Sequence, residues 1–336
     1  MAIGTGTTRL EDLAALAGVS VSTASRALND HPAISTRTKQ KIWSLARDHD
    51  YPFRRHMPTG PIGAEGSVAI VTPHLRGRAL PLSHPFFLEL LASIGEAARA
   101  RSCDFTVSHT APANYDDLVL AATTSRANGV IFLGQSMLHD ELNQLAETNT
   151  RFIVWGAQMP KQHYCSVGSD NLLGGRRATA HLARLGRKRI MFLGSTDPEA
   201  MLRRRGYREA LAECGLDFDP ELIVPVDFEM EPAEDAVSRL QRRGVQFDGI
   251  VASSDLIALG AIRALQRAGL SVPADVSVVG YDDMLLARLS TPALTTVRQD
   301  TQEAGRILVS RLLDPVPDTR SELLPTNLIV RESCGA

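Results

Sequence analysis

Over the first 50 or so residues the apolar positions recur with a helical period, and the breaks between them are short. Leu10, Leu13, Ala14 and Ala17 share one face of a segment that opens Thr8-Arg9-Leu10-Glu11. That opening is a capping-box pattern, in which hydroxyl and carboxylate each satisfy an orphan amide at a helix start. Gly18 stands where the chain must leave this helix, Ser20 is placed to cap the next one, and Ala24 and Leu28 give the second helix an inner stripe. A third amphipathic segment starts near Ser35, after Asn29-Asp30-His31-Pro32, and turns Ile42, Leu45, Ala46 and His49 inward. The pattern predicts a compact three-helix bundle, with a turn of about three residues between its first two helices.

From Ser67 onward the pattern changes. Short apolar runs, VAIV, FTVS, GVIFLG, FIVW, RIMFLG, LIVPV, GIVAS, VSVVG and LTTV, alternate with helix-length segments. Near-continuous apolar strands of this kind belong to parallel sheets covered by helices on both faces. The predicted class is α/β, with a helical headpiece ahead of a doubly wound body. Open parallel sheets bind ligands beyond the carboxyl ends of their strands, so the residues that follow the runs are the candidates for chemistry.

Charge separates the same two regions. The 336 residues carry a net charge of -2, yet residues 1–60 hold eight Lys and Arg against five Asp and Glu, and the remainder 28 against 33. A mildly basic head precedes an acidic body. The four cysteines, Cys103, Cys165, Cys214 and Cys334, are widely spaced, with no CxxC pair and no histidine cluster. No disulfide framework, metal site or cofactor is expected from them. The N-terminus lacks a basic flank followed by an apolar core, and no apolar run approaches the roughly 18 residues of a membrane span. A cytoplasmic protein without a membrane partner is the expectation.

In a helix-turn-helix the second helix is sized for the roughly 12 Å major groove of DNA. Val21, Ser22 and Arg26 lie on the face that the inner stripe leaves free; short side chains allow close approach to base edges, and arginine reads guanine or clamps phosphate. A solvated helical hairpin is the alternative. The segment TTRLEDLAALAGVSVSTASRALNDHPAISTRTKQKIWSLARDHDY closely resembles the headpiece of the LacI/GalR family of bacterial transcription regulators. Asp12, Ala14, Ala17, Gly18, Val19, Ser20, Thr23, Ser25, Arg26, Leu28 and Asn29 match its pattern, and Ala24 replaces the usual valine. The expected DNA contacts are Thr8, Ser20, Val21, Ser22, Thr23, Ser25, Arg26 and Asn29, joined by Arg54 and Arg55 of the linker.

That linker departs from the family. The hinge that the resemblance implies folds on DNA and wedges a leucine into the minor groove, whereas here the chain reads Tyr51-Pro52-Phe53-Arg54-Arg55-His56-Met57-Pro58-Thr59-Gly60-Pro61. The leucine is missing, and Pro58 and Pro61 oppose a helix. Arg54, Arg55 and His56 could reach phosphates or a narrow minor groove, with Phe53 or Met57 as an apolar wedge; a solvated proline-rich linker is the other reading.

The body is similar to the periplasmic-binding-protein-like effector domain of the same family. Its signposts are His84-Pro85-Phe86-Phe87, Asp170-Asn171 with Gly174-Gly175, Arg203 with Gly206, Ser254-Asp255, Val272-Pro273-Ala274-Asp275-Val276, Gly280-Tyr281-Asp282-Asp283 and Leu294-Thr295-Thr296-Val297. The resemblance implies two doubly wound subdomains, crossings near residues 167–170, 296–300 and 325, and a ligand cleft between the lobes. It carries ligand contacts to Asp170, Arg203, Asp255 and Asp282, with Phe228 at the aromatic position and Phe86 or Phe87 in the opposing lobe. Such a set suits a polyol: carboxylates accept hydroxyl hydrogen bonds, arginine donates a fork of them, and a ring covers an apolar sugar face. Asp170 and Asp255 are also placed to cap helices, and Phe86 to be core. Arg203-Arg204-Arg205 keeps an acidic or phosphorylated ligand in play.

The expected protein is a non-enzymatic regulator, a homodimer and a repressor, binding double-stranded operator DNA under control of a sugar-like effector. Its expected parts are a DNA-binding domain (1–51), a hinge (52–65) and an effector and dimerisation domain (66–336). The alternatives are a carbohydrate-binding transport protein, which would not need residues 8–51, and a doubly wound enzyme. For the enzyme, Gly4-Thr5-Gly6 is a poor nucleotide fingerprint and no G-x-S-x-G elbow occurs.

Overall fold

The computed structural model describes residues 9–28, 31, 33–49, 66–72, 74–75, 78–79, 83–108, 111–124, 127–135, 137–314 and 320–336. Backbone contacts divide the chain into two compact units, Met1–Gly63 in one and nearly all of Ala64–Ala336 in the other. Thr8, Asn29, Arg54 and Arg55, and the Phe53 and Met57 wedge positions, lie outside the described residues.

The first unit contains α1 (Leu10–Ala17), α2 (Val21–Leu28) and α3 (Thr36–Asp48). Leu13, Ala14, Ala17, Ala24, Ala27, Ile42 and Ala46 are buried, so the stripes read from the sequence do meet, with Ala27 an addition. Its alanines allow close helix crossing where larger side chains would hold the axes apart. Gly18, at φ 69°, takes the left-handed turn that ends α1, and the Val19 amide returns to the Ala14 carbonyl. Lys41 Nζ donates to the Ala17 carbonyl at 3.0 Å, placing a cation on the negative end of α1. Two expectations are corrected. The box at the start of α1 is made by Asp12, whose carboxylate accepts from the Arg9 amide at 2.8 Å, because the helix begins at Leu10 and its third position is Asp12. His49 is exposed, since it follows the last residue of α3.

The second unit holds, among the described residues, two six-stranded sheets and a small hairpin. Its strands are β1 (Ser67–Val71), the hairpin β2 (His74–Leu75) and β3 (Arg78–Ala79), β4 (Asp104–Ser108), β5 (Gly129–Leu133), β6 (Phe152–Trp155) and β7 (Ser166–Ser169), then β8 (Ile190–Gly194), β9 (Ile223–Pro225), β10 (Gly249–Ala252), β11 (Ser277–Asp282), β12 (Thr295–Arg298), β13 (Glu322–Leu324) and β14 (Asn327–Ile329). One sheet runs β13-β7-β6-β5-β1-β4, all parallel. The other runs β14-β12-β11-β10-β8-β9, parallel except for β14. Within each lobe the parallel strands follow the doubly wound order with its switch point beside the first strand.

Helices cover both faces of each sheet, which is why the central strands read as unbroken apolar runs, while the edge strand β4 stays exposed. In the N-terminal lobe, Val68 and Ile70 face α4 (Pro85–Ala100) and α12 (Thr301–Leu313), while Ala69 and Val71 face α5 (Tyr115–Thr124) and α6 (His139–Ala146). In the C-terminal lobe, α7 (Asn171–Arg184) and α8 (Pro198–Glu213) cover one face, and α9 (Met230–Arg242) and α10 (Asp255–Arg267) the other. A short helix, α11 (Leu285–Leu289), follows β11. The chain passes between lobes after β7, after β12 and between β13 and β14, at the three places expected. No described helix is long and apolar enough to cross a membrane.

Candidate functional site: a cleft at the strand ends of both lobes

In the headpiece, α2 presents Val21, Ser22 and Arg26 as exposed residues. Arg26 is held by its own helix: its guanidinium donates to Ser22 Oγ one turn earlier, at 2.7 and 3.2 Å. Ser20 Oγ accepts from the Thr23 amide at 3.1 Å and contacts Thr23 Oγ1 at 2.8 Å, so both hydroxyls serve the helix start. Ser25 is partly buried.

In the larger unit a cleft open to solvent lies where the carboxyl ends of the two sheets come together. Its lining follows the strands. Gly134 comes after β5, Trp155 ends β6 and Gly156 follows it, Gly168 and Ser169 end β7, Asp197 comes after β8, Phe228 after β9, Asp282 ends β11 and Gln299 comes after β12. The first turns of α4, α7 and α8 add Phe86, Asn171 and Glu199, and Arg203 follows one turn later in α8. Both lobes contribute, as a doubly wound pair requires.

Arg203 is the anchor of the floor. It is 5% exposed, its Nε donates to Asn171 Oδ1 at 2.8 Å, and Nη1 donates to the Ser253 carbonyl. The guanidinium lies 3.7 Å over the Tyr281 ring centre and 3.9 Å from Asp282 Oδ1. Close helix packing puts it there: a Cβ on Gly175 would stand 2.1 Å from the Arg203 carbonyl, and one on Gly206 2.0 Å from that of Leu172. The glycine signposts of the sequence therefore set how tightly α8 sits on α7.

Asp282 ends β11 with φ 118°, a backbone state that side chains rarely adopt and that recurs at ligand sites. Burial pushes its carboxyl up to about 7, against the pull of Arg203 and of Gln299, whose Nε2 donates to Oδ1 at 2.6 Å. Burial also raises the Glu199 carboxyl, opposed by backbone amides and Arg203. It lowers the His84 imidazole, which keeps that ring neutral in the wall. The aromatic side is built from Phe86, Phe87, Trp155 and Phe228; Phe86 lies 5.5 Å from Phe87 and 6.1 Å from Trp155 between ring centres. Phe86 is also 7% exposed core of the N-terminal lobe, so its two readings coincide.

The structure thus brings Phe86, Arg203, Phe228 and Asp282 together and gives the other two expected contacts different partners. Asp170 caps α7, its carboxylate accepting from the Leu173 amide at 2.9 Å, and stands outside the lining. Asp255 is fully buried, receives Thr296 Oγ1 at 2.5 Å and the Met284 amide at 2.9 Å, and is also outside the lining. Burial first, and then the Asp282 charge, hold its carboxyl well above the usual carboxylate range. Ser254 caps α10, which leaves Asp255 to tie that helix to β12 and to the start of α11. Arg205 pairs with Glu209 on an exposed face of α8, so the arginine triplet does not form an anion pocket. Sequence reasoning missed Asp197, Glu199, Trp155, Ser169 and Gln299, which reach the cleft from a strand's last residue, the segment after a strand or the first turn of α8.

Residues 9–52 match the pattern of bacterial regulatory proteins of the lacI family, and residues 179–334 that of a periplasmic binding protein-like domain. The transcriptional regulator CelR of Thermobifida fusca is 32% identical, over 96% of this chain and 97% of that protein. The repressor CytR of Escherichia coli K12 is 28% identical, over 97% and 96%. Among solved structures, a CelR–cellobiose complex is 29% identical and superposes with a TM-score of 0.69, covering 97% of this chain and 99% of that one. A lac repressor dimer bound to operator and the anti-inducer ONPF shares the fold at 23% identity, with a TM-score of 0.69 over 98% and 100%. A helical headpiece with an arginine-bearing second helix, two doubly wound lobes around a cleft, and full-length likeness to such proteins lead to one conclusion: the chain belongs to the lacI family of bacterial transcription regulators.

Proposed function

We propose that the protein is a repressor that binds a two-fold operator as a homodimer, with its affinity set by a small carbohydrate-like effector held in the cleft. Residues 1–51 serve as the DNA-binding domain, 52–65 as the hinge, and 66–336 as the effector and dimerisation domain. The observation that carries the effector reading is the convergence of Arg203, Asp282 and four aromatic rings at strand ends from both lobes. A ligand that touches both lobes favours one relative placement of them, and so acts on whatever the lobes are joined to.

On the DNA side, Val21, Ser22 and Arg26 read base edges. Thr8, Ser20, Thr23, Ser25 and Asn29 fix the helix on the backbone, and Arg54 and Arg55 add charge from the hinge. In the cleft, Asp282 accepts ligand hydroxyls, Arg203 donates, and Phe86 and Phe228 cover the ring. Support for the dimer comes from α11, where Leu285, Leu286 and Leu289 are exposed at 60%, 40% and 71%. Leu88 of α4 is exposed nearby, next to Glu89, whose Oε1 accepts from the Leu285 amide at 3.0 Å. A cluster of leucines left open to water is stabilised by covering it, and the same patch on a second copy does so symmetrically.

Selection of DNA from a random library by the full chain tests the reading. The expected product is a pseudopalindromic site bound by two copies. Recovery of no enriched sequence, or of a site bound by one copy, would overturn it.

A further inference from the structure

The cleft carries three carboxylates and one committed cation. Asp197, Glu199 and Asp282 line it. Against them stands Arg203, already stacked on Tyr281, bonded to Asn171 and the Ser253 carbonyl, and close to Asp282. Burial disfavours a charge on His84, and no other lysine, arginine or histidine lines the cleft among the described residues. Asp197 is 8% exposed; its amide donates to Ser195 Oγ and its carbonyl accepts from the Met201 amide, while its carboxylate accepts no hydrogen bond from a described residue. Ser169 Oγ, in a residue 2% exposed, is likewise buried in the lining without a partner.

A buried hydroxyl without a partner, as Ser169 Oγ is, is costly until a ligand satisfies it, and the Asp197 carboxylate is left to whatever enters the cleft. Their chemistry then decides which ligand. A phosphate or uronate would meet the Asp197 carboxylate and the acidic groups of Glu199 and Asp282, with no uncommitted cation to receive its charge. A neutral sugar would satisfy Ser169 but leave Asp197 with hydroxyl donors alone. A protonated amine would supply Asp197 with a charge-assisted hydrogen bond, in a site whose remaining walls are aromatic faces that also favour a cation. We infer that the effector carries a protonated nitrogen beside its hydroxyls, as an amino sugar does, with Asp197 and Glu199 receiving the ammonium and Ser169 a neighbouring hydroxyl.

This rests on the reading of the cleft as the effector site. The buried carboxyls support it: Glu199 faces Arg203 and Asp197, Asp282 faces Arg203, Gln299 and Glu89, and burial leaves both inclined to hold a proton that an entering ammonium would displace. An amine should therefore bind with release of protons.

The test is calorimetric titration of the full chain with two matched series: glucose, glucosamine and glucose 6-phosphate, and cellobiose with the β-1,4-linked glucosamine dimer. Each is run in two buffers of different ionisation enthalpy. The amine of at least one series is expected to bind about tenfold or more tightly than its neutral partner, the contribution of one charge-assisted contact, with proton release and no binding of the phosphate. Asp197→Asn should bring amine and neutral sugar to similar affinity, and Glu199→Gln should narrow the gap should the first variant fail to fold by circular dichroism. A neutral or phosphorylated sugar that binds as tightly as its amine, binding by none of the amines, or a preference kept in both variants overturns the inference. Operator binding separates the two readings. A neutral or anionic ligand that shifts operator affinity sinks the amine inference and leaves the regulator standing, whereas an amine that binds without altering operator affinity does the reverse.

Discussion

Asp282 ends β11 in a left-handed backbone, with burial raising its carboxyl to about 7 while Arg203 and Gln299 favour the charge. Because the folded pKa lies above the unfolded value, the contribution of this group to stability is fully present below about pH 4. It is lost as pH rises towards and through 7. The ligand-free protein should gain stability from Asp282 on acidification from pH 8 to 6, and Asp282→Asn should flatten that slope. Urea unfolding at the two pH values reads it, and parallel slopes in the two proteins would contradict the assignment. In the headpiece the side chain proposed to read a base is Arg26, held by Ser22 on an exposed face. Arg26→Ala should weaken operator binding by about 1–3 kcal/mol if it reads a base. Unchanged affinity in a folded variant would remove it from the interface.

Elements show where the sequence spoke and where it was silent. All nine apolar runs became strands, most of them because a strand buried on both faces has no polar alternation to blur it, whereas β4 is an exposed edge strand read from its β-branched and aromatic residues. Strand β7, with the sequence SVGS, has only one large apolar residue, because the chain must be small there: a Cβ on Gly168 would lie 2.0 Å from the Gly156 carbonyl. Strands β13 and β14 have three residues each and exist only through their neighbours. The cleft was legible where a family motif marked it, at Phe86, Arg203, Phe228 and Asp282. Asp197 and Glu199 lie in a turn and a helix start whose local pattern says nothing of the opposing lobe, and only the meeting of two lobes gives them a role. One junction of elements makes its own prediction. Asp283, with a side chain 1% exposed, binds Arg298 of β12 at 2.7 Å, Arg288 of α11 at 3.5 Å, and Arg331 beyond β14. Asp283→Ala should cost on the order of 3 kcal/mol, the low end for breaking a buried pair, because two of these arginines are half-exposed. A loss below about 0.5 kcal/mol in chemical denaturation, ordinary for a surface change, would show that the three arginines do not depend on it.

The proposed regulator as a whole has three surfaces: a helix for DNA, a cleft for an effector, and an exposed leucine cluster proposed to meet a second copy. Leu289→Asp, placing a charge in that cluster, should shift the protein from dimer to monomer in sedimentation velocity and lower operator affinity with it. A variant that remains dimeric would move the interface elsewhere. The central claim is that the cleft governs the headpiece, and the most direct measurement is the affinity of the full chain for its selected operator, titrated by fluorescence anisotropy with the neutral and amino sugars above, for wild type and Asp282→Asn side by side. The account predicts equal ligand-free affinities, a change of about tenfold or more with one sugar in the wild type, within the usual range of allosteric coupling, and little or none in the variant. The same response in both proteins, or no response of the wild type to any ligand that calorimetry shows to be bound, would contradict it.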